Sequence, residues 1–173
     1  MNNTLSSAMI EAPRPLVMPK ILMVCALLLL AILQSTVVGR IGIFNIKPDL
    51  LLIAVVIVAL GSSWKWALFF GFTAGFCKDI FGSSAFGIYT LILSTLGFLC
   101  FELSKSLMIE TRLRLLITVA LAAAFEYMVL ALFLASSGDP VPFGIFLRSV
   151  LIGSAYSAAF SPLVLKLFKF IEK

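Results

Sequence analysis

From Ile21 to Phe170 the chain is a succession of apolar runs, each broken by a short polar turn. That pattern leaves few folds open. A helix needs roughly 18–20 apolar residues to cross a bilayer, and several of these runs reach or approach that length. In lipid, a backbone must satisfy its polar groups within its own segment, so the runs read as helices. Only 12% of the residues are charged, against roughly 25% in a soluble domain. No soluble domain of useful size is left over, and the short connections favour one compact bundle. The expected fold class is an all-α integral membrane protein, a six-transmembrane-helix bundle. Its helices are expected at about 21–38, 49–63, 64–79, 85–103, 113–135 and 143–170, in one domain covering 21–173.

The stretch Ala67–Gly87 gives the pattern an internal reference, and the other helices are expected to pack around it. Ala67, Gly71 and Gly75 fall four residues apart, so they line one side of a helix with almost no side-chain bulk. In a membrane such a stripe lets another helix approach at backbone distance. Gly153, Ser157 and Ser161 repeat the spacing in the last helix. Both stripes read as helix-packing surfaces, and the helix that meets the first is either from this chain or from a partner.

Leu50–Leu60 and Trp66–Cys77 are short for separate crossings, covering only about 16–18 Å each against ~30 Å of hydrocarbon. Joined in one straight helix they would run about 42 Å, too long without strong tilt. Gly61-Ser62-Ser63-Trp64-Lys65-Trp66 instead reads as an interfacial turn, with tryptophans as belt residues and Lys65 among headgroups. Two thin crossings fit better than one, and a re-entrant hairpin would bury Lys65. Pro48 and Asp49 open the second helix, where proline suits the first turn and aspartate complements the dipole. Glu102 and Lys105 lie three apart and can pair, and the long last helix is expected to kink at Pro162.

Residues 1–20, with Pro13, Pro15 and Pro19, read as a disordered cytoplasmic tail. The run Ile21–Val38 is longer than a signal-peptide core and has no small-x-small cleavage site after it, so it reads as a retained first helix. With six helices and an inner N-terminus, the inner segments hold Arg14, Lys20, Lys65, Lys105, Arg112, Arg114, Lys166, Lys169 and Lys173. The outer segments hold Arg40, Lys47 and Lys78: nine against three. An excess of lysine and arginine marks the cytoplasmic side, so both termini are expected there, in a bacterial inner membrane. A five-helix arrangement gives eight against three, so the helix count rests on length and on the Gly61–Trp66 turn. The net charge of +5 is accordingly an orientation signal, and no nucleic-acid partner is expected.

The chain has no histidine, which removes the commonest metal ligand and the commonest general base at neutral pH. Cys25, Cys77 and Cys100 sit singly in apolar runs without CxxC spacing, and they read as packing or lipid-facing residues. No nucleophile–base pair, phosphate loop or metal spacing accompanies them. Neither catalysis, a cofactor nor a metal is expected.

Two ionisable residues, Glu126 and Arg148, fall inside apolar runs. An intramembrane charge costs roughly 2.5–3.5 kcal/mol on insertion scales and usually faces protein or water. By residue count they lie about 12 Å and about 8 Å below the outer ends of helices five and six, so they are expected to pair. The six-helix arrangement puts Asp49, Lys78, Asp79 and Asp139 at the outer level. The pair either pins the last two helices together or forms an outer polar cluster with Asp49 and Asp79. In the second case Asp49, Asp79, Glu126 and Arg148 make a partner-binding cleft or pocket.

Lys47-Pro48-Asp49-Leu50-Leu51-Leu52, the hairpin after it, and Asp79-Ile-Phe-Gly-Ser-Ser-Ala-Phe-Gly87 together resemble the MreD family of rod shape-determining proteins. That family shows a Pro-Asp opening to a Leu-rich helix, then an Asp, two apolar residues, a Ser-Gly turn and a Gly starting the next helix. Asp79, Gly82, Ser83 and Gly87 match in place, with the Ser-Gly order reversed. The total length and Pro162 extend the resemblance over roughly residues 21–170. It implies a non-enzymatic inner-membrane scaffold of the bacterial elongation (rod) complex, controlling cell shape through side-wall peptidoglycan synthesis. The implied partners are MreC, MreB, and RodA with its transpeptidase. The family is also similar in fold to the substrate-binding subunits of energy-coupling-factor vitamin transporters. That likeness implies an alternative, a small-molecule-binding membrane subunit using the outward-facing pocket.

Overall fold

The computed structural model describes residues 20–36, 48–81, 86–106, 111–138 and 142–171. The tail over residues 1–19, the loop with Arg40 and Lys47, the Gly82-Ser83-Ser84 turn and Asp139 lie outside the described residues. Among the described residues there are six helices: α1 (Lys20–Thr36), α2 (Leu50–Gly61), α3 (Trp64–Phe81), α4 (Ile88–Ser106), α5 (Thr111–Ser136) and α6 (Phe143–Ile171).

Helix α2 is the axis of the bundle. It is apolar at every position before Gly61, so no face of it is suited to water. Ten successive residues, Leu50–Ala59, are buried, the most exposed of them being Leu50 at 7%. All five other helices pack against it. This corrects the expectation that the molecule is built around Ala67–Gly87. That stretch packs chiefly with α4, and a uniformly apolar helix is the one that can be enclosed on every side. With 12 residues, α2 is about 18 Å long. It is shorter than the hydrocarbon layer, but protein rather than lipid surrounds it.

Helices α3 and α4 make the closest pair. A Cβ on Gly71 would overlap the Leu93 carbonyl, one on Gly75 the backbone of Tyr89 and Thr90, and one on Gly97 the Ala67 carbonyl. The matched positions run in opposite directions along the two helices, which are therefore antiparallel and in backbone contact. Between α2 and α3 the chain reverses through Ser62 and Ser63, whose carbonyl accepts from the Trp66 and Ala67 amides at 3.0 Å. Gly87, at φ +99°, supplies the left-handed residue before α4.

The remaining helices show one face to the bundle. In α1, Ala26, Leu27, Leu30 and Ala31 are buried while Leu28, Leu29, Ile32 and Leu33 are exposed. In α5 the buried set is Arg114, Leu115, Thr118, Val119, Ala122, Ala123 and Glu126, a helical three–four spacing. Helix α6 buries Gly153, Ser157, Ser161, Val164 and Phe168, and continues through Pro162. The exterior carries large apolar side chains, among them Leu91, Leu132 and Phe143, as a lipid-facing surface does. By length and composition, Ile88–Ser106, Leu113–Ser136 and Phe143–Phe168 can each cross a membrane. No described residue from Tyr127 to Ile152 is buried. The C-terminal part of α5 and the N-terminal part of α6 are therefore less enclosed than the rest of these helices.

Candidate functional site

The N-terminus of α2 is buried, so its free amide donors need partners from the protein. Asp49 is the N-cap, and its Oδ1 accepts from the Leu52 amide at 3.1 Å. Gln34, near the end of α1, accepts from the Leu51 amide at 2.9 Å and donates to Asp49 Oδ1 at 3.1 Å. The Asp49 amide donates to Ser157 Oγ of α6 at 3.3 Å. Side chains from α1 and α6 thus join Asp49 at one helix start.

Onto this cap comes Lys78, three residues from the end of α3. Its ammonium pairs with Asp49 Oδ2 and with Glu126 Oε1 of α5. It also lies 4.2 Å from the centre of the Tyr89 ring, a cation–π contact. The side chains of Lys78, Asp49 and Glu126 are 16%, 11% and 7% exposed, so water screens little of this attraction. Removing one member of such a buried set strands the others and costs about 3–5 kcal/mol, whereas replacing the whole set is often neutral.

Asp79, next in sequence to Lys78, does a different job. Its carboxylate accepts from the Tyr89 and Thr90 amides at 3.1 and 2.9 Å and from the Thr90 hydroxyl at 2.5 Å. It caps the start of α4 from the end of α3. Asp49 and Asp79 thus each occupy the positive end of a helix, and both are consumed by internal hydrogen bonds.

The family model described as rod shape-determining protein MreD matches residues 17–171 of the chain. The chain belongs to the MreD family. A comparison with curated proteins returned no match, and neither did one with solved structures. MreD proteins determine rod shape, and the apolar helices agree with a multi-pass protein of the inner membrane.

In this MreD chain, Asp49 and Glu126 come together through Lys78, with Asp79 beside them. Arg148 does not join them. It is exposed on α6, nine residues from Ser157, and Glu126 takes Lys78 as its partner in place of the expected Arg148. The expectation assumed that all helices end at one level. Gly153 lies against Tyr127, where a Cβ would be 2.6 Å from the ring. That register carries Arg148 about 8 Å further toward the start of α6, away from the level of Glu126. Glu126, well inside α5, is instead level with Lys78 near the end of α3.

Ala67, Gly71 and Gly75 face α4 of the same chain, so the first stripe is occupied internally. In the second, Gly153 meets Tyr127, Ser157 holds the Asp49 amide, and Ser161 is wholly buried with its hydroxyl donating to the Ala158 carbonyl at 2.7 Å. Sequence reading missed Gln34, Tyr89 and Thr90, and it left Lys78 without a partner. The available signal was Lys78 itself, a lysine one turn inside the end of an apolar helix. Among the described residues no His, Cys, Asp and Glu group is suited to a metal ion.

Proposed function

We propose that this chain is a non-enzymatic inner-membrane scaffold of the bacterial elongation complex. It binds MreC, stands in one assembly with MreB, RodA and the transpeptidase, and so helps direct side-wall peptidoglycan synthesis. One observation carries this reading over solute capture: the charges clustered at the start of α2 satisfy each other. A small-molecule site keeps a few convergent polar groups for its ligand. Here Asp49 and Glu126 share Lys78, Gln34 and Ser157 serve the start of α2, and Asp79 caps α4. The cluster locks the helices around α2 and keeps the exterior rigid. That exterior is apolar and includes an open groove beside Phe72, Phe76, Phe86 and Leu91, a surface suited to a membrane helix.

In this proposal all six helices cross the bilayer and both termini are cytoplasmic, as the nine-to-three charge bias supports. The bundle is then of the kind used by substrate-binding subunits of energy-coupling-factor transporters, without their ligand. Affinity purification of the full chain from membranes tests the function. MreC should be recovered with it; a bound small molecule recovered in place of MreC would favour the capture subunit.

A further inference from the structure

Arg114 lies outside the charge cluster, twelve residues before Glu126 on the same buried face of α5. It is 7% exposed, and its Nε is buried without a hydrogen-bond partner. One turn along, Thr118 is fully buried and its hydroxyl also has no partner. No ion pair to Arg114 occurs among the described residues. Buried cations are ordinarily paired, because an unpaired one loses its hydration without recompense.

The position sharpens the problem. Arg114 is in the first turn of α5, which contains no acidic residue. First-turn amides have no intrahelical acceptors, and the helix dipole is positive there. Arg112 adds a further positive charge two residues earlier. The antiparallel helix order brings Lys65, Lys105 and Lys166 to the same end of the bundle, and Lys105 is already paired with Glu102 at 2.9 Å. Beside Arg114, Leu113, Leu116 and Ile117 are exposed and apolar, so the place borders the lipid-facing surface.

We infer that Arg114, Thr118 and the first turn of α5 form a seat for a phosphate group. A guanidinium matches two oxygens of a phosphate at once, and a further oxygen remains for an amide or the Thr118 hydroxyl. Helix starts hold such anions through their free amides. Two sources supply this chemistry, a phospholipid headgroup and soluble phosphate.

Thermal melting of the purified full chain in uncharged detergent tests the inference, with phosphatidylglycerol, inorganic phosphate and sodium chloride as separate additions. Saturable stabilisation by phosphatidylglycerol alone assigns the seat to a lipid, and stabilisation by inorganic phosphate assigns it to the soluble ion. In either case Arg114→Gln should weaken the apparent affinity about tenfold or more, the loss of a charge-assisted bond. Thr118→Val should weaken it less, and Arg114→Lys should fall between the wild type and Arg114→Gln. Should Arg114→Gln fail to fold, the lysine and Thr118→Val variants carry the comparison. No response to either probe overturns the inference, as does an unchanged affinity in the folded variants. Glu110 precedes α5 and lies outside the described residues. If Glu110→Gln creates phosphate binding that the wild type lacks, that carboxylate was the partner and the inference fails.

Discussion

Lys78 joins two carboxylates from two other helices, so its loss should do more harm than that of any exposed lysine. Lys78→Met leaves Asp49 and Glu126 close together and unpaired, at an expected cost of about 3–5 kcal/mol. Lys105→Met should cost under about 1 kcal/mol, because its pair with Glu102 is exposed. Thermal unfolding in detergent separates the two. A double-mutant cycle on Lys78 and Glu126 should show Lys78→Met/Glu126→Gln less damaged than the sum of the single changes. At this scale the sequence was informative about Asp49, because Pro48-Asp49 before a leucine run is a helix start. It was informative about Glu126 too, because a carboxylate within an apolar run needs a partner. It could not say which partner, since depth counted along a helix gives no level unless the helix ends are level.

Among the elements, α3 and α4 depend on each other through backbone contact. Gly71→Leu and Gly75→Leu should each destabilise the chain strongly, because the Leu93 carbonyl and the Tyr89–Thr90 backbone cannot move aside as a flexible side chain could. Gly144→Ala, in α6, meets nothing within 4 Å and should be tolerated. Equal melting temperatures for Gly75→Leu and the wild type would contradict the packing. The four-residue glycine spacing announced a close contact, yet only the fold identified α4 as the helix in it. The central place of α2 was hidden for a similar reason. Apolar composition distinguishes helices that avoid water, but it does not distinguish lipid neighbours from protein neighbours. Only the uninterrupted apolar character of Leu50–Leu60 hinted that this helix is enclosed.

At the scale of the whole molecule, the charges of Asp49, Lys78 and Glu126 are spent on one another, and the apolar exterior is left for lipid and partners. The proposed six crossings would place the α2–α3 turn and the end of α5 on opposite sides of the membrane. In a background without Cys25, Cys77 and Cys100, single cysteines at Ser63 and Ser137 should label from opposite sides with a membrane-impermeant reagent. Labelling of both from one side would contradict that topology. The central claim is that Asp49, Lys78 and Glu126 are a lock and not a ligand site. The triple variant Asp49→Asn, Lys78→Met, Glu126→Gln removes every charge together, keeps a residue able to cap α2, and should fold. Expressed in cells lacking the native chain, it should restore rod shape and still bring MreC through purification. A folded triple variant that leaves the cells round would show that the charges themselves serve function and are more than a lock.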